Sequence, residues 1–209
     1  MAAVKLTKNE QKKQKDQLKQ FLRYLPTLQL KKQQLQMVIR QIEQEVHMLQ
    51  RQQKALVDAL QSWVAVFHEN SAFDEHRQLD TVVVVDKVIK EKGNIAGVAI
   101  PVFKELTFKE TSYDLDFYPL WVDKGIEALR DIARFDAKIA TLEKQIELLG
   151  RELRITSQRV NLFEKVKIPE TRENIRKIGI YLGDQQTAAV VRGKIAKKKL
   201  IRNSPEGVA

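Results

Sequence analysis

Four places in the chain hold residue types that do chemistry elsewhere, and none has the spacing its chemistry needs. His68-Glu69 opens like a helical zinc-hydrolase motif. The next histidine is His76 rather than position 72, so the two imidazoles do not share a helix face. Gly193-Lys194 ends like a phosphate-binding loop, but Ile195 follows and no spaced partner glycine precedes it. Asp114 and Asp116 are two acids in a polar stretch, the pattern of a solvated loop. His47 follows Val46 on a helical pattern and is expected at the surface. No catalytic residue, cofactor site or metal site is therefore expected. With no cysteine, disulfides and thiolate ligands are excluded outright.

What remains is charge. The chain carries +10, unevenly placed. Residues 1–34 hold nine Lys/Arg against Glu10 and Asp16, and residues 190–209 hold six against Glu206. The stretch between is slightly acidic. Lys194, Lys197, Lys198, Lys199 and Arg202 form the densest cluster and are the candidate partner-binding residues of a basic tip. The cluster interleaves no aromatic for base stacking, so a nucleic-acid partner is not expected. No apolar run approaches the ~18 residues of a membrane span, and the first residues turn polar too early for a signal peptide. The expected protein is soluble, or held at a membrane through partners.

Two elements must position that tip. Leu18, Phe21, Leu25, Leu28, Lys32, Leu35, Ile39, Ile42, Val46, Leu49, Gln53, Leu56, Leu60, Trp63 and Phe67 alternate steps of three and four. All but Lys32 and Gln53 are apolar. A mean period of 3.5 is the seam of a left-handed coiled coil. A second seam runs through Ala128, Ile132, Phe135, Ile139, Leu142, Ile146, Leu149, Leu153, Thr156, Val160 and Phe163. Around and beyond Pro169 it continues as Ile168, Ile175, Ile178, Leu182 and Ala189, shifted by one residue. A proline inside a helix removes one hydrogen bond and crowds the preceding turn, at about 3 kcal/mol. The coincidence of proline and register shift predicts a change of pitch or a bend at that point.

Between the seams, TVVVVDKVIK (81–90) and the run 94–103 are β-branched and flank a Gly-Asn pair, which predicts a β-hairpin. Pro101 cannot donate to a ladder, so its strand is expected to be an edge or to end there. Residues 104–121 are expected as loop or short helix, with the second arm starting near Trp121 and Asp123. The fold class is mainly α: a long antiparallel two-helix coiled coil with a small mid-chain hairpin. The expected organisation is one elongated domain, with an N-terminal arm (5–76), an insert (77–121), a C-terminal arm (122–202) and a short tail (203–209). Arms of ~110 Å each, folded about the insert, would set residue i beside residue 200 − i. The basic termini would then meet, the hairpin would cap the far end, and Pro26 would lie near the level of Pro169.

Three stretches carry a resemblance. Arg159-Val160-Asn161-Leu162-Phe163-Glu164, followed by Ile168-Pro169, is similar to an R-V-N-A-L-E…I-P signature. Asn94 to Pro101 resembles an N-x-x-G-V-x-x-P stretch, and Leu6-Thr7-Lys8 with Leu28 to Leu35 resembles a basic N-terminal helix. Together they resemble the D-subunit family of the V-type (archaeal/vacuolar-type) rotary ATPases, the central-stalk rotor. Pro26 and Gln33 depart from the family pattern.

The resemblance implies a non-catalytic shaft coupling ATP hydrolysis or synthesis to ion transport, proton or sodium. Its paired termini would enter a ring of catalytic and non-catalytic nucleotide-binding subunits. A small central-stalk partner subunit and a rotor-ring adaptor subunit would complete its partners. It would sit peripherally on the cytoplasmic face of the membrane. Ile95, Val98 and Ile100 of the hairpin are candidate contacts for those stalk partners. Gly97, Pro101, Asn161 and Pro169 are candidate structural positions. A basic coiled-coil scaffold or tether, or a nucleic-acid-binding protein, is the alternative.

Overall fold

The computed structural model describes residues 4–61, 82–109 and 121–203. Helix α1 spans Lys8–Gln61, strands β1 and β2 span Val85–Ile95 and Val98–Phe108, and helix α2 spans Val122–Leu162. A π-helical turn, Phe163–Lys167, joins α2 to helix α3, Ile168–Asn203. Trp63, Phe67, His68, His76, Asp114 and Asp116 lie outside the described residues, as do positions 62–76 of the expected arm.

The chain divides into two compact units. One comprises residues 31–155, the other residues 1–30 and 156–209. In the first, α1 packs antiparallel to α2: Lys31 Nζ meets Glu152 Oε1 at 2.6 Å, and Gln53 Nε2 donates to Asp136 Oδ1 at 2.7 Å. The Gln53 bond explains a polar residue on the seam, since it gives the amide a partner across the pair. Leu35, Ile42, Val46, Ile139 and Leu149 form the buried core of this unit. In the second unit, Phe21 and Phe163 rings lie 5.2 Å apart, and Gln11 lies against Gly179.

Every apolar seam position from Leu18 to Leu60 is buried or half-buried, and so is the second seam as far as Leu182. Ala189 alone is exposed. The pairing offset differs from the expectation. Phe21 faces Phe163, not position 179, and Lys31 faces Glu152, not position 169. In the second unit Pro26 and Pro169 therefore fall on opposite sides of the Phe21–Phe163 level rather than together. The heptad leaves such an offset open, because sliding one helix by whole heptads keeps every apolar residue on the seam.

The hairpin is also displaced. Its turn is Ala96-Gly97, with φ of 51° and 82°. Positive φ at both central residues is what a two-residue hairpin turn needs to match strand twist. Gly97 takes that conformation freely, and Asn94 Oδ1 accepts its N–H at 3.0 Å. Gly93 and Asn94, expected as the turn, lie within β1. Gly93 is there for space: a Cβ would stand 2.7 Å from Val102 Cγ2 across the ladder. Residues 104–108, expected as loop or short helix, complete β2.

Candidate functional surfaces: the π turn, the basic helix and the hairpin

Pro169 lies one residue into α3. Its ring would crowd the carbonyl four residues back in an α-helix. The chain avoids this by widening one turn: Ile168 N–H reaches back five residues to Phe163 O, and Phe163–Lys167 is π-helical. Thr171 Oγ1 donates to the Lys167 carbonyl at 2.6 Å, giving that acceptor a partner beside the defect. The five-residue step also accounts for the register shift seen in the sequence: Phe163 and Ile168 both face inward, five apart rather than three or four. Val160, Ile168, Thr171 and Ile178 keep the inner face buried through the change. Asn161 and Pro169 themselves are exposed.

At the start of α1, Thr7 Oγ1 accepts the Glu10 N–H at 3.3 Å, the side-chain half of a capping box. Since Gln11 is level with Gly179, α3 runs on for ~20 residues, about 30 Å, past the start of α1. The two basic segments are therefore staggered along their own unit, not level as expected. From Ala189 to Arg202 every residue is exposed. Lys194, Lys197, Lys198, Lys199 and Arg202 all lie on this stretch. Val190, Val191 and Ile195 are exposed with them, at 58%, 49% and 50%. A solvent-facing helix has no internal use for such side chains.

The hairpin does not stand off the helices as a cap. Ile100 is buried at 4% and joins the Leu35–Leu149 core, with Ile95, Ala96 and Val98 packed on the same cluster. Strand β2 lies along α2. Gln145 Nε2 donates to the Pro101 carbonyl at 2.6 Å, Lys138 Nζ stands over the Phe103 ring, and Arg130 and Arg134 flank Phe108. Residues 130, 134, 138 and 145 share one helical face, so α2 offers β2 a row of cations and one amide. The sequence pattern did not reveal this row. Its signal was present as Arg130, Arg134 and Lys138 at four-residue spacing, but nothing marked aromatic rings as their targets. Val85, Val88, Ile89 and Val102 remain exposed at 39–43%.

His47 is exposed, and its carbonyl accepts from Arg51 Nε at 3.3 Å. No helix among the described residues is long and apolar enough to cross a membrane.

Long paired helices, an inserted hairpin fastened to them and an exposed basic extension define a mainly helical chain with a small mid-chain β element. The family model for the ATP synthase D subunit matches residues 10–198. The D subunit of the V-type ATP synthase of Borreliella burgdorferi is 54% identical over 204 residues, covering 98% of both chains. Those of Chlamydia abortus and Chlamydia caviae are 36% and 32% identical, each covering 97% of this chain and 96% of the relative. The chain belongs to the ATP synthase D-subunit family.

Proposed function

We propose that this chain is the non-catalytic central-stalk shaft of a V-type ATP synthase, transmitting torque between the nucleotide-binding ring and the membrane ion rotor. The observation that carries this reading is the end-to-end match to the D subunits of V-type ATP synthases, covering arms and insert alike. Nothing in the comparisons favours a nucleic-acid binder or a plain tether.

The mechanism asks the chain to act as one elongated domain that resists twist. Each buried seam side chain contributes about 1.5–3 kcal/mol, so torque is spread over many layers rather than held at one. The shaft works by presenting different faces to chemically identical subunits, which is a coupling free energy and needs no reacting group. The π turn makes the shaft unlike itself from side to side.

The basic α3 extension, with Lys194, Lys197, Lys198, Lys199 and Arg202, enters the ring of catalytic and non-catalytic subunits, whose lining is acidic. Exposed pairs of ~0.2–1 kcal/mol each guide a turning shaft without trapping it. The hairpin meets the small stalk partner or the rotor-ring adaptor. Ile95, Val98 and Ile100 support that contact from within by fastening the hairpin to the helices. The chain sits peripherally at the cytoplasmic face, touching the membrane sector only through partners.

The test is reconstitution of the complex with and without this chain. Its addition should restore ATP-driven ion pumping to a preparation that otherwise hydrolyses ATP without pumping. Coupled pumping at full rate in its absence would overturn the reading.

A further inference from the structure

Strand β2 is committed to the helices, while strand β1 packs on the helical core only at its Ile95 end. Every residue from Val85 to Lys92 is exposed. Among the described residues the sheet has two strands, so the outer edge of each is set by the ladder. In a hairpin closed by a two-residue turn, the flanking pair exchanges both backbone bonds, and bonded and non-bonded pairs alternate from there. Ile95↔Val98 is the flanking pair. The non-bonded pairs are then Asn94↔Ala99, Lys92↔Pro101 and Lys90↔Phe103. Pro101 falls where a residue without an N–H belongs, and its outward carbonyl is the one Gln145 takes. The same alternation points the backbone N–H and C=O of Lys90, Lys92 and Asn94 away from the ladder. Among the described residues nothing bonds to them.

We propose that β1 is a docking edge, which receives an extended acidic strand from another subunit of the complex and grows the hairpin to three strands. This rests on the central-stalk reading and names the contact the hairpin makes. Folded proteins normally cover or shorten an edge of this length, because its open row of backbone groups templates pairing. Charge selects the occupant. Glu91 is held by Lys104 at 2.5 Å, which leaves Lys87, Lys90 and Lys92 against Asp86 alone. A second copy of the chain fits poorly: antiparallel self-pairing centred on Lys90 sets Lys90 opposite Lys90 and Val88 opposite Lys92. An acidic strand with apolar residues meets both the lysines and the exposed Val88 and Ile89.

Backbone hydrogen exchange, read on the free chain and on the reconstituted complex, tests this. The amides of Lys90, Lys92 and Asn94 should exchange freely in the isolated chain and at least about a hundredfold more slowly in the complex. Lys90→Pro deletes one docking N–H and leaves the ladder whole, which exchange at Glu91 and Gly93 will verify. It should weaken binding to a complex lacking the chain by about tenfold or more, one backbone bond and its neighbours. Lys90→Gln, which keeps the N–H, should weaken it about two- to threefold. Unprotected amides in a complex that still pumps would overturn the edge proposal and leave the central-stalk reading standing. Equal losses in the two variants would overturn strand docking. Protection in an isolated dimer, seen by light scattering, would overturn the acidic partner in favour of a second copy. A chain that never joins the ring would overturn both readings.

Discussion

Leu149→Ala measures how much the α1–α2 seam holds. Leu149 and Leu35 are each 0% exposed and belong to one cluster with Ile42, Val46 and Ile139. Truncating a fully buried leucine loses the transfer free energy of three carbons plus the cost of the space left behind, about 3–4 kcal/mol when neighbours cannot collapse. Collapse is restricted here, because the facing side chains sit on helices whose spacing is fixed by layers above and below. For a chain of this length each kcal/mol shifts the melting temperature by about 2–4 °C, so a fall of about 10 °C is expected by circular dichroism. Met37→Ala is the control. It lies in the same unit, is 57% exposed, and should change stability by less than about 0.5 kcal/mol. If both variants melted alike, the pairing of α1 with α2 through Leu35 and Leu149 would be wrong.

Three further outcomes follow from local geometry. Gly93→Ala should loosen the hairpin by about 1–3 kcal/mol, since its Cβ meets Val102 Cγ2 at 2.7 Å, and the double variant with Val102→Ala should recover most of the loss in a proteolysis assay. Changing Lys197, Lys198 and Lys199 together to Gln should lower ring affinity about tenfold at low salt and less at high salt, with helicity unchanged. The hydrogen bond from Arg176 to Glu173, with the nearby positive charges of Arg176 and Lys177, holds the Glu173 carboxyl below its usual range. A depressed carboxylate stabilises the fold above its unfolded pKa, and that contribution fades as pH falls through the folded value. Carboxyl NMR should therefore find Glu173 titrating below the ordinary ~4.3 and rising toward it in Arg176→Ala.

Period was the most legible property of the sequence. The 3–4 spacing named the seam positions of α1 and α2, but not Thr141 and Gln145, which are buried on α2 off that seam. The shift at Pro169 was legible too, as a missing step in the pattern, and the π turn is its physical form. Offset was not legible: a heptad is nearly blind to sliding by whole repeats, so only the packed helices show Phe21 opposite Phe163. The turn was misplaced because Gly93-Asn94 carries the stronger local signal. Gly93 is glycine for cross-strand room, while Ala96 accepts a positive φ that its side chain does not favour. Of the candidate surfaces, the lysines were visible as composition. The attachment of the hairpin to α2 was not, since cation–ring pairs between Lys138 and Phe103 join residues far apart in sequence.

The overhang of α3 past the start of α1 has a thermodynamic consequence. An isolated peptide of that length would be a marginal helix, because the first turn fixes several residues for one hydrogen bond. Here that nucleation step is already complete where α3 packs against α1 near Gly179. Each residue beyond has only to propagate, with an equilibrium constant close to one for Ala, Lys, Leu and Arg. The segment therefore melts gradually from its end rather than all at once. Warming shortens the helical reach of the lysine cluster by degrees, and any surface that grips the end lengthens it again.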